Sequence, residues 1–301
     1  MKIVIGSRGS KLALWQAHWG KQRLEAVGYE IEIKIIKTTG DKCAEVPLTQ
    51  SGTKGLFIKE IEEALLAGQV DLAVHSLKDL PTEQPEGLYV AAVPEREDPR
   101  DVFISKDGTA LSQFSPGARI GTSSLRRQTQ LRRLRPHLEI VPLRGNIDSR
   151  LKKLDRGDCD ALVLAAAGVR RLGFESRITH YFSHDEICPA VGQGALAIEL
   201  RRDDAKILAA VRPLDHYPTH QAVRAERAAL RELGGGCQLP IAAYASHDGD
   251  RLRLLGVVAS SDGAKIIRAS AMGANQNPEE LGARVAQDLL KQGARSILDT
   301  T

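Results

Sequence analysis

Short apolar runs alternate with helical patterns through the first two-thirds of the chain. Ile3-Val4-Ile5 reads as a strand, and Lys11 to Ala26 as a helix with Leu12, Trp15, Trp19 and Leu24 on one side. Tyr29 to Ile36 is the next strand, Phe57 to Ala67 a helix ending at Gly68, and Val70 to His75 a strand. This alternation predicts α/β architecture with mainly parallel strands. The segment Pro94 to Asp101 is charged, Pro-bracketed and without periodicity, and reads as an interdomain crossing.

A second α/β block follows. Arg119 to Gly121 leads into a helix through Leu134, Leu138 to Pro142 is a strand, Ile147 to Asp155 a helix and Asp160 to Ala166 a buried strand. Ala195 to Leu200 is expected to return to the first sheet, which makes the first domain discontinuous. From Thr219 the pattern becomes α+β: a helix to about Leu233, two antiparallel strands (Arg251 to Ala259, Lys265 to Ala271) and a last helix after Pro278.

At 301 residues the chain has room for roughly two domains of about 150 residues. Its 42% hydrophobic and 27% charged residues, with 27 Gly and 13 Pro, exclude collagen-like, coiled-coil and wholly disordered chains. The longest apolar run, Ala161 to Val169, falls far short of the roughly 20 residues that span a bilayer. No signal-peptide apolar region follows Met1-Lys2, so a soluble, cytoplasmic protein is expected. Cys43, Cys159, Cys188 and Cys237 form no C-x-x-C pair, so neither a metal site nor a disulfide framework is expected.

Charge changes this picture. Between Arg119 and Arg177 fourteen Lys and Arg face six Asp and Glu, an excess of eight that suits an anionic partner. Arg126-Arg127 fall in the first helical turn after Thr122-Ser123-Ser124, where the helix dipole disfavours cations. Arg8, Ser10 and Lys11 sit at another strand-to-helix turn, and Arg144-Gly145-Asn146 at a third, with Arg150 one turn inside. Three such turns point to bound carboxylates or phosphates met by backbone N–H groups, hydroxyls and guanidinium forks. No phosphate loop or dinucleotide fingerprint is present. His75-Ser76-Leu77-Lys78-Asp79 places a carboxylate beside a Lys at a strand end, suited to acid–base work or to an ordinary surface ion pair. Gly234-Gly235-Gly236 exceeds the single Gly a helix C-cap needs and holds the Cys237 thiol on a loop.

Together these segments resemble the porphobilinogen deaminase (hydroxymethylbilane synthase) family. The resemblance runs through Ser7-Arg8-Gly9-Ser10, Lys54-Gly55-Leu56-Phe57, His75 to Asp79, Glu95 to Asp101, Gly121 to Arg127, Leu143 to Asn146, Pro189 to Gly194 and Gly234 to Gln238. It implies two periplasmic-binding-protein-like α/β domains with a cleft between them (1–94 plus 195–212, and 100–190). A smaller C-terminal α+β domain with an antiparallel sheet (217–301) would carry the cofactor cysteine.

The implied reaction condenses four porphobilinogen molecules on a dipyrromethane bound by a thioether to Cys237. The resemblance gives Asp79 the catalytic role. Cofactor and substrate binding fall to Arg8, Ser10, Lys54, Phe57, Ser76, Lys78, Thr122, Ser123, Ser124, Arg126, Arg127, Arg144, Gly145, Arg150, Arg171 and Gln193. The expected partners are porphobilinogen and the growing polypyrrole chain, with no nucleic acid, no membrane and a monomeric state. The competing readings are a non-catalytic anion binder, which leaves Gly-Gly-Gly-Cys unexplained, and a nucleic-acid binder, for which 4% aromatic content offers no interleaved stacking residues.

Overall fold

The computed structural model describes residues 1–39, 58–236 and 239–300. Lys54, Phe57, Cys43 and Cys237 lie outside the described residues. The chain divides into two compact units, Met1–Arg96 with Ala195–His220, and Glu97–Gly194 with Gln221–Thr301.

In chain order the first unit opens with β1 (Lys2–Ser7), α1 (Lys11–Glu25), β2 (Glu30–Ile35), α2 (Lys59–Leu66), β3 (Leu72–Ser76) and β4 (Leu88–Ala92). Next come β5 (Asp101–Ser105), β6 (Arg119–Gly121), α3 (Leu125–Leu134), β7 (Glu139–Val141), α4 (Ile147–Arg156), β8 (Ala161–Ala165), α5 (Ala166–Arg171) and β9 (His180–Tyr181). The chain then forms β10 (Leu196–Arg201), α6 (Ala205–Val211), α7 (Tyr217–Glu232), β11 (Ile241–Asp248), β12 (Arg251–Ala259), β13 (Ile266–Ala274), α8 (Pro278–Lys291) and α9 (Ala294–Asp299).

The first sheet has the order β2-β1-β3-β10-β4. β1 runs parallel to β2 and β3, while β10 is antiparallel to both β3 and β4. As expected, the returning segment after Gly194 enters the first sheet. Alternation in β1 turns Ile3 and Ile5, both fully buried, toward Ala17 and Leu24 of α1. Val4 packs on the other face with Ile61 and Leu65 of α2. Each such buried Ile or Leu contributes about 1.5–3 kcal/mol of transfer free energy. Ser10 caps α1, its hydroxyl accepting from the Ala13 N–H at 3.4 Å.

The second unit repeats this design in the sheet β7-β6-β8-β5-β9. β6 is parallel to β7 and β8, and β5 is antiparallel to β8. In each sheet the strand in fourth position runs antiparallel to both of its neighbours: β10, which returns to the first unit from beyond the second sheet, and β5, the first strand of its own sheet in sequence. Both are mixed α/β sheets, in line with the two α/β domains expected from the sequence. The same unit holds the antiparallel sheet β11-β12-β13. One face of that sheet packs Leu252, Leu254 and Val258 against α7, α8 and α9. The other face buries Cys188 against Ala242 and Val257.

Four strands differ from the sequence expectation. β5 begins within the segment read as a crossing, starting at Asp101. β4, β9 and β11 are absent from that expectation; β9 closes the edge of the second sheet, and β11 makes the C-terminal sheet three-stranded.

Candidate active site

In the first unit, the expected residues gather at the carboxyl ends of the parallel strands. Arg8 follows β1, and Ser10 opens α1. Ser76 ends β3, its hydroxyl accepting from Gln16 Nε2 at 2.6 Å. A single 3₁₀ turn, Leu77–Asp79, follows, and the Leu77 N–H donates to Ala195 O at 3.0 Å. This turn buries Leu77 and leaves Asp79 exposed at its end. Apolar Leu77 anchors the turn, so its acidic neighbour faces solvent at a strand end, where open α/β sheets bind ligands.

The second unit holds the basic set. Thr122 is buried, its hydroxyl accepting from the Ser124 N–H at 3.3 Å, which shapes the turn into α3. Arg126 and Arg127 follow at the first turn, and both are buried. Their dipole-disfavoured placement has a resident countercharge that the sequence reading left out: Asp101, fully buried at the start of β5.

Arg126 Nη1 lies 2.7 Å from Asp101 Oδ2 and donates to Cys188 O at 2.6 Å. Arg127 Nε donates to Asp101 Oδ1 at 2.9 Å. Gln193, also fully buried, completes the cluster by donating from Nε2 to Asp101 Oδ1 at 3.0 Å and to Pro99 O at 2.7 Å. Burial pushes the Asp101 carboxyl up, but Arg126 and Arg127 outweigh it and hold it down to about 2. Arg126 and Arg127 therefore do not simply wait for an outside anion. Two guanidinium groups share one internal carboxylate, and one positive charge is left over.

Arg150, one turn into α4, adds to that excess. Its Nε is buried without a hydrogen-bond partner, and burial, with Arg127 and Arg144 nearby, pulls the guanidinium down to about 10. Ser123 Oγ is likewise buried and unpartnered. Gly145 takes φ +113°, and a Cβ there would meet Ser149 Oγ at 2.2 Å, so the turn carrying Arg144 requires glycine. Arg171 donates from Nη2 to Gly194 O at 2.7 Å, and burial pulls it down to about 10 against the opposing charge of Glu97. Like-charged guanidinium groups held together, one with an unmatched buried N–H, form a site that an anion would stabilise.

Comparison with known proteins agrees with this chemistry. Residues 3–209 match the family described as porphobilinogen deaminase, dipyromethane cofactor binding domain, and residues 220–291 match porphobilinogen deaminase, C-terminal domain. The porphobilinogen deaminase of Carboxydothermus hydrogenoformans is 50% identical over 300 residues, covering 99% of this chain and 96% of that protein. That of Desulforudis audaxviator is 52% identical over 299 residues, covering 99% and 97%.

The chain belongs to the porphobilinogen deaminase family.

Among solved structures, the methionine-binding protein MetQ aligns at TM-score 0.45 and 13% identity, covering 75% of this chain and 93% of that one.

A porphobilinogen deaminase carries a dipyrromethane cofactor, whose two pyrroles bring four carboxylates. The donor set fits such a group: Arg150 Nε and Ser123 Oγ are buried without partners, and the Arg126–Arg127–Asp101 cluster retains net positive charge. Asp101 is the functional residue the sequence reading missed. An acid opening the apolar run Val102-Phe103-Ile104 was the available signal, because a carboxylate at the head of a buried strand needs a cationic partner.

Proposed function

We propose that this enzyme uses Asp79 as the carboxylate of its reacting centre, Cys237 as the attachment point of the dipyrromethane and the arginines of its second unit as holders of pyrrole carboxylates. The reaction joins four porphobilinogen molecules head to tail, with loss of ammonia at each step, into the linear tetrapyrrole hydroxymethylbilane. It makes the enzyme a transferase of tetrapyrrole synthesis.

When bound, the dipyrromethane supplies a free pyrrole α-carbon as the primer for chain growth. The remaining work falls to the protein's own groups. Ammonia leaving an aminomethyl carbon develops positive charge over the pyrrole nitrogen. Asp79, free to meet solvent at the turn after β3, accepts a hydrogen bond from that N–H and stabilises the charge. One of its carboxylate oxygens then takes the proton lost from the attacking α-carbon. Lys78, Ser76, Arg8 and Ser10 orient the incoming monomer, with Lys54 and Phe57 assigned to the same task by resemblance. Thr122, Ser123, Ser124, Arg126, Arg127, Arg144, Gly145, Arg150 and Arg171 serve the acetate and propionate groups, and Gln193 acts among them by holding Asp101 in place.

The observation that carries this reading is the charge imbalance around Asp101, one buried carboxylate beneath a larger set of guanidinium groups. Three functional domains (1–94 plus 195–212, 100–190 and 217–301) are proposed, the last carrying the cofactor. Among the described residues no helix is long and apolar enough to cross a membrane. A cytoplasmic monomer without nucleic-acid partners completes the proposal.

The physical state of the two described cysteines supports Cys237. Burial pushes the Cys159 thiol up to about 11 and the Cys188 thiol up to about 12, leaving neither as a ready nucleophile. Intact mass of the purified enzyme should show one dipyrromethane adduct per chain, and peptide mapping should place it on Cys237. Cys237→Ser should remove it, whereas changes at Cys43, Cys159 and Cys188 should not. An adduct mapped to another cysteine overturns the assignment.

The arginines should divide by task. Replacing Arg126 or Arg127 by Leu is expected to reduce cofactor assembly, while changes at Arg8 or Arg144 stall chain growth on loaded enzyme. Adduct ladders after one, two and three equivalents of porphobilinogen distinguish the groups, and four identical ladders would defeat the division.

A further inference from the structure

Behind the turn that carries Asp79, on the α2 side of the first sheet, three ionisable side chains are buried together. β3 directs Leu72 and Val74 toward α1, where Ser76 also meets Gln16, and Ala73 toward α2. His75 shares the Ala73 face. Its Nε2 lies 3.1 Å from Glu199 Oε2 on β10, joining residues 124 apart in sequence. The backbone register places His75 opposite Ala197 and Ser76 opposite Leu196. The side-chain pair and the Leu77 N–H bond to Ala195 O thus tie the same short stretch of β3 to β10.

Glu62 comes to this pair from α2. Burial raises its carboxyl, the Glu199 charge raises it further against the opposing effect of His75, and the group is pushed up to about 7. From β1 and β4 the residues packed on α2 are the apolar Val4 and Leu88, and within α2 the neighbouring Lys59 and Glu63 pair with each other while Glu60 accepts from Thr39. Glu62 Oε1 and Glu199 Oε1 are both buried without a hydrogen-bond partner. A fully buried, half-satisfied carboxylate in the apolar strand Leu196–Arg201 is poor evidence of stabilisation, since an apolar residue of similar volume would avoid its desolvation cost. What the pair supplies is a defined position for the end of β3.

We propose that His75 and Glu199 are positioning residues for the Asp79 carboxylate, with Glu62 of α2 as the third member of their cluster. The proposal rests on the assignment of Asp79 to the reacting centre. Asp79 follows the tied stretch by one turn, and misplacing a reacting group by about 1 Å is enough to slow chemistry by as much as about 100-fold.

The test uses loaded enzyme, with cofactor content checked by intact mass. Glu199→Gln should lower kcat on the order of 10-fold while KM stays within about twofold. His75→Ala should match it, and His75→Gln, which keeps an N–H donor, should recover part of the loss. In the Asp79→Asn background Glu199→Gln should add no further loss, because positioning a carboxylate that is absent has no effect.

Glu62 gives a separate readout. The folded protein keeps on Glu62 a proton that the unfolded chain releases near 4.5, so its contribution to stability falls as pH rises from about 4.5 to about 7. Glu62→Gln should remove that decline from a plot of Tm against pH. Fully loaded Glu199→Gln with wild-type kcat overturns the positioning role, as does a further loss in the Asp79→Asn background. Should Glu199→Gln not fold, equal kcat for His75→Ala and His75→Gln overturns it. A Glu62→Gln protein that keeps the decline removes Glu62 from the cluster. Normal turnover by Asp79→Asn alone strikes the Asp79 assignment instead, so the two failures are distinguishable.

Discussion

With Asn at position 79, the loaded enzyme should bind porphobilinogen normally and turn it over on the order of 100-fold more slowly or worse. Asn keeps the size of the side chain and one acceptor oxygen, so the 3₁₀ turn Leu77–Asp79 and its buried Leu77 should persist. On the proposed role of Asp79, what disappears is the negative charge that meets the growing positive charge on the pyrrole nitrogen, and the oxygen that takes the proton in the same step. Because that charge is needed only as ammonia departs, kcat should collapse while KM changes little. Asp79 is exposed, so folding stability should move by less than about 0.5 kcal/mol. Steady-state kinetics with matched melting curves separate these effects. Near-normal turnover by the loaded variant would remove Asp79 from the mechanism.

The outline of the fold was legible because its buried strands are made of strongly apolar runs. Ala161–Ala165 is buried along its whole length, and the helices around it show clear apolar faces. The strands that escaped notice have local reasons. Ile241–Asp248 reads Ile-Ala-Ala-Tyr-Ala-Ser-His-Asp, and alanines carry little strand propensity. They form a strand because Ala243 and Ala245 are small enough to pack beneath the C-terminal helices. β5 was hidden by the charged residues before it, although Val102-Phe103-Ile104 lie fully buried.

The electrostatics of the site were half legible. Cations at helix starts stand out from a one-dimensional pattern, and Arg126, Arg127 and Arg150 were found that way. Their countercharge was not, because Asp101 lies 25 residues before Arg126 and meets it only through the packing of β5 against the start of α3. The same holds for Glu199 and His75. No period along the chain links an acid in one strand to an imidazole 124 residues away.

Removing the Asp101 charge should have the largest effect on folding. In Asp101→Asn the guanidinium groups of Arg126 and Arg127 stay buried without a carboxylate between them. An uncompensated buried charge of this kind costs about 3–5 kcal/mol, a large share of the stability of an ordinary domain. The pH dependence has a definite sign. Asp101 is held down to about 2 in the folded protein against 3.8 ordinarily, so its contribution is present above about 4 and is lost as pH falls from there toward 2. That difference corresponds to roughly 2 kcal/mol, so wild type and Asp101→Asn should converge in acid by about that amount.

Denaturant unfolding of apo protein at pH 7 measures the first quantity, and a series carried down to about pH 2 measures the second, of which only about half is lost by about pH 3. Asp101→Asn with Arg127→Gln should recover part of the loss, because one of the two stranded charges goes with it. Inorganic phosphate should stabilise Asp101→Asn more than wild type, since a bound anion supplies to the arginine cluster the negative charge that Asn lacks. If Asp101→Asn unfolds within about 0.5 kcal/mol of wild type and ignores phosphate, the guanidinium groups do not depend on Asp101 for their place. The link between the stability of this cluster and its affinity for carboxylates would then be broken.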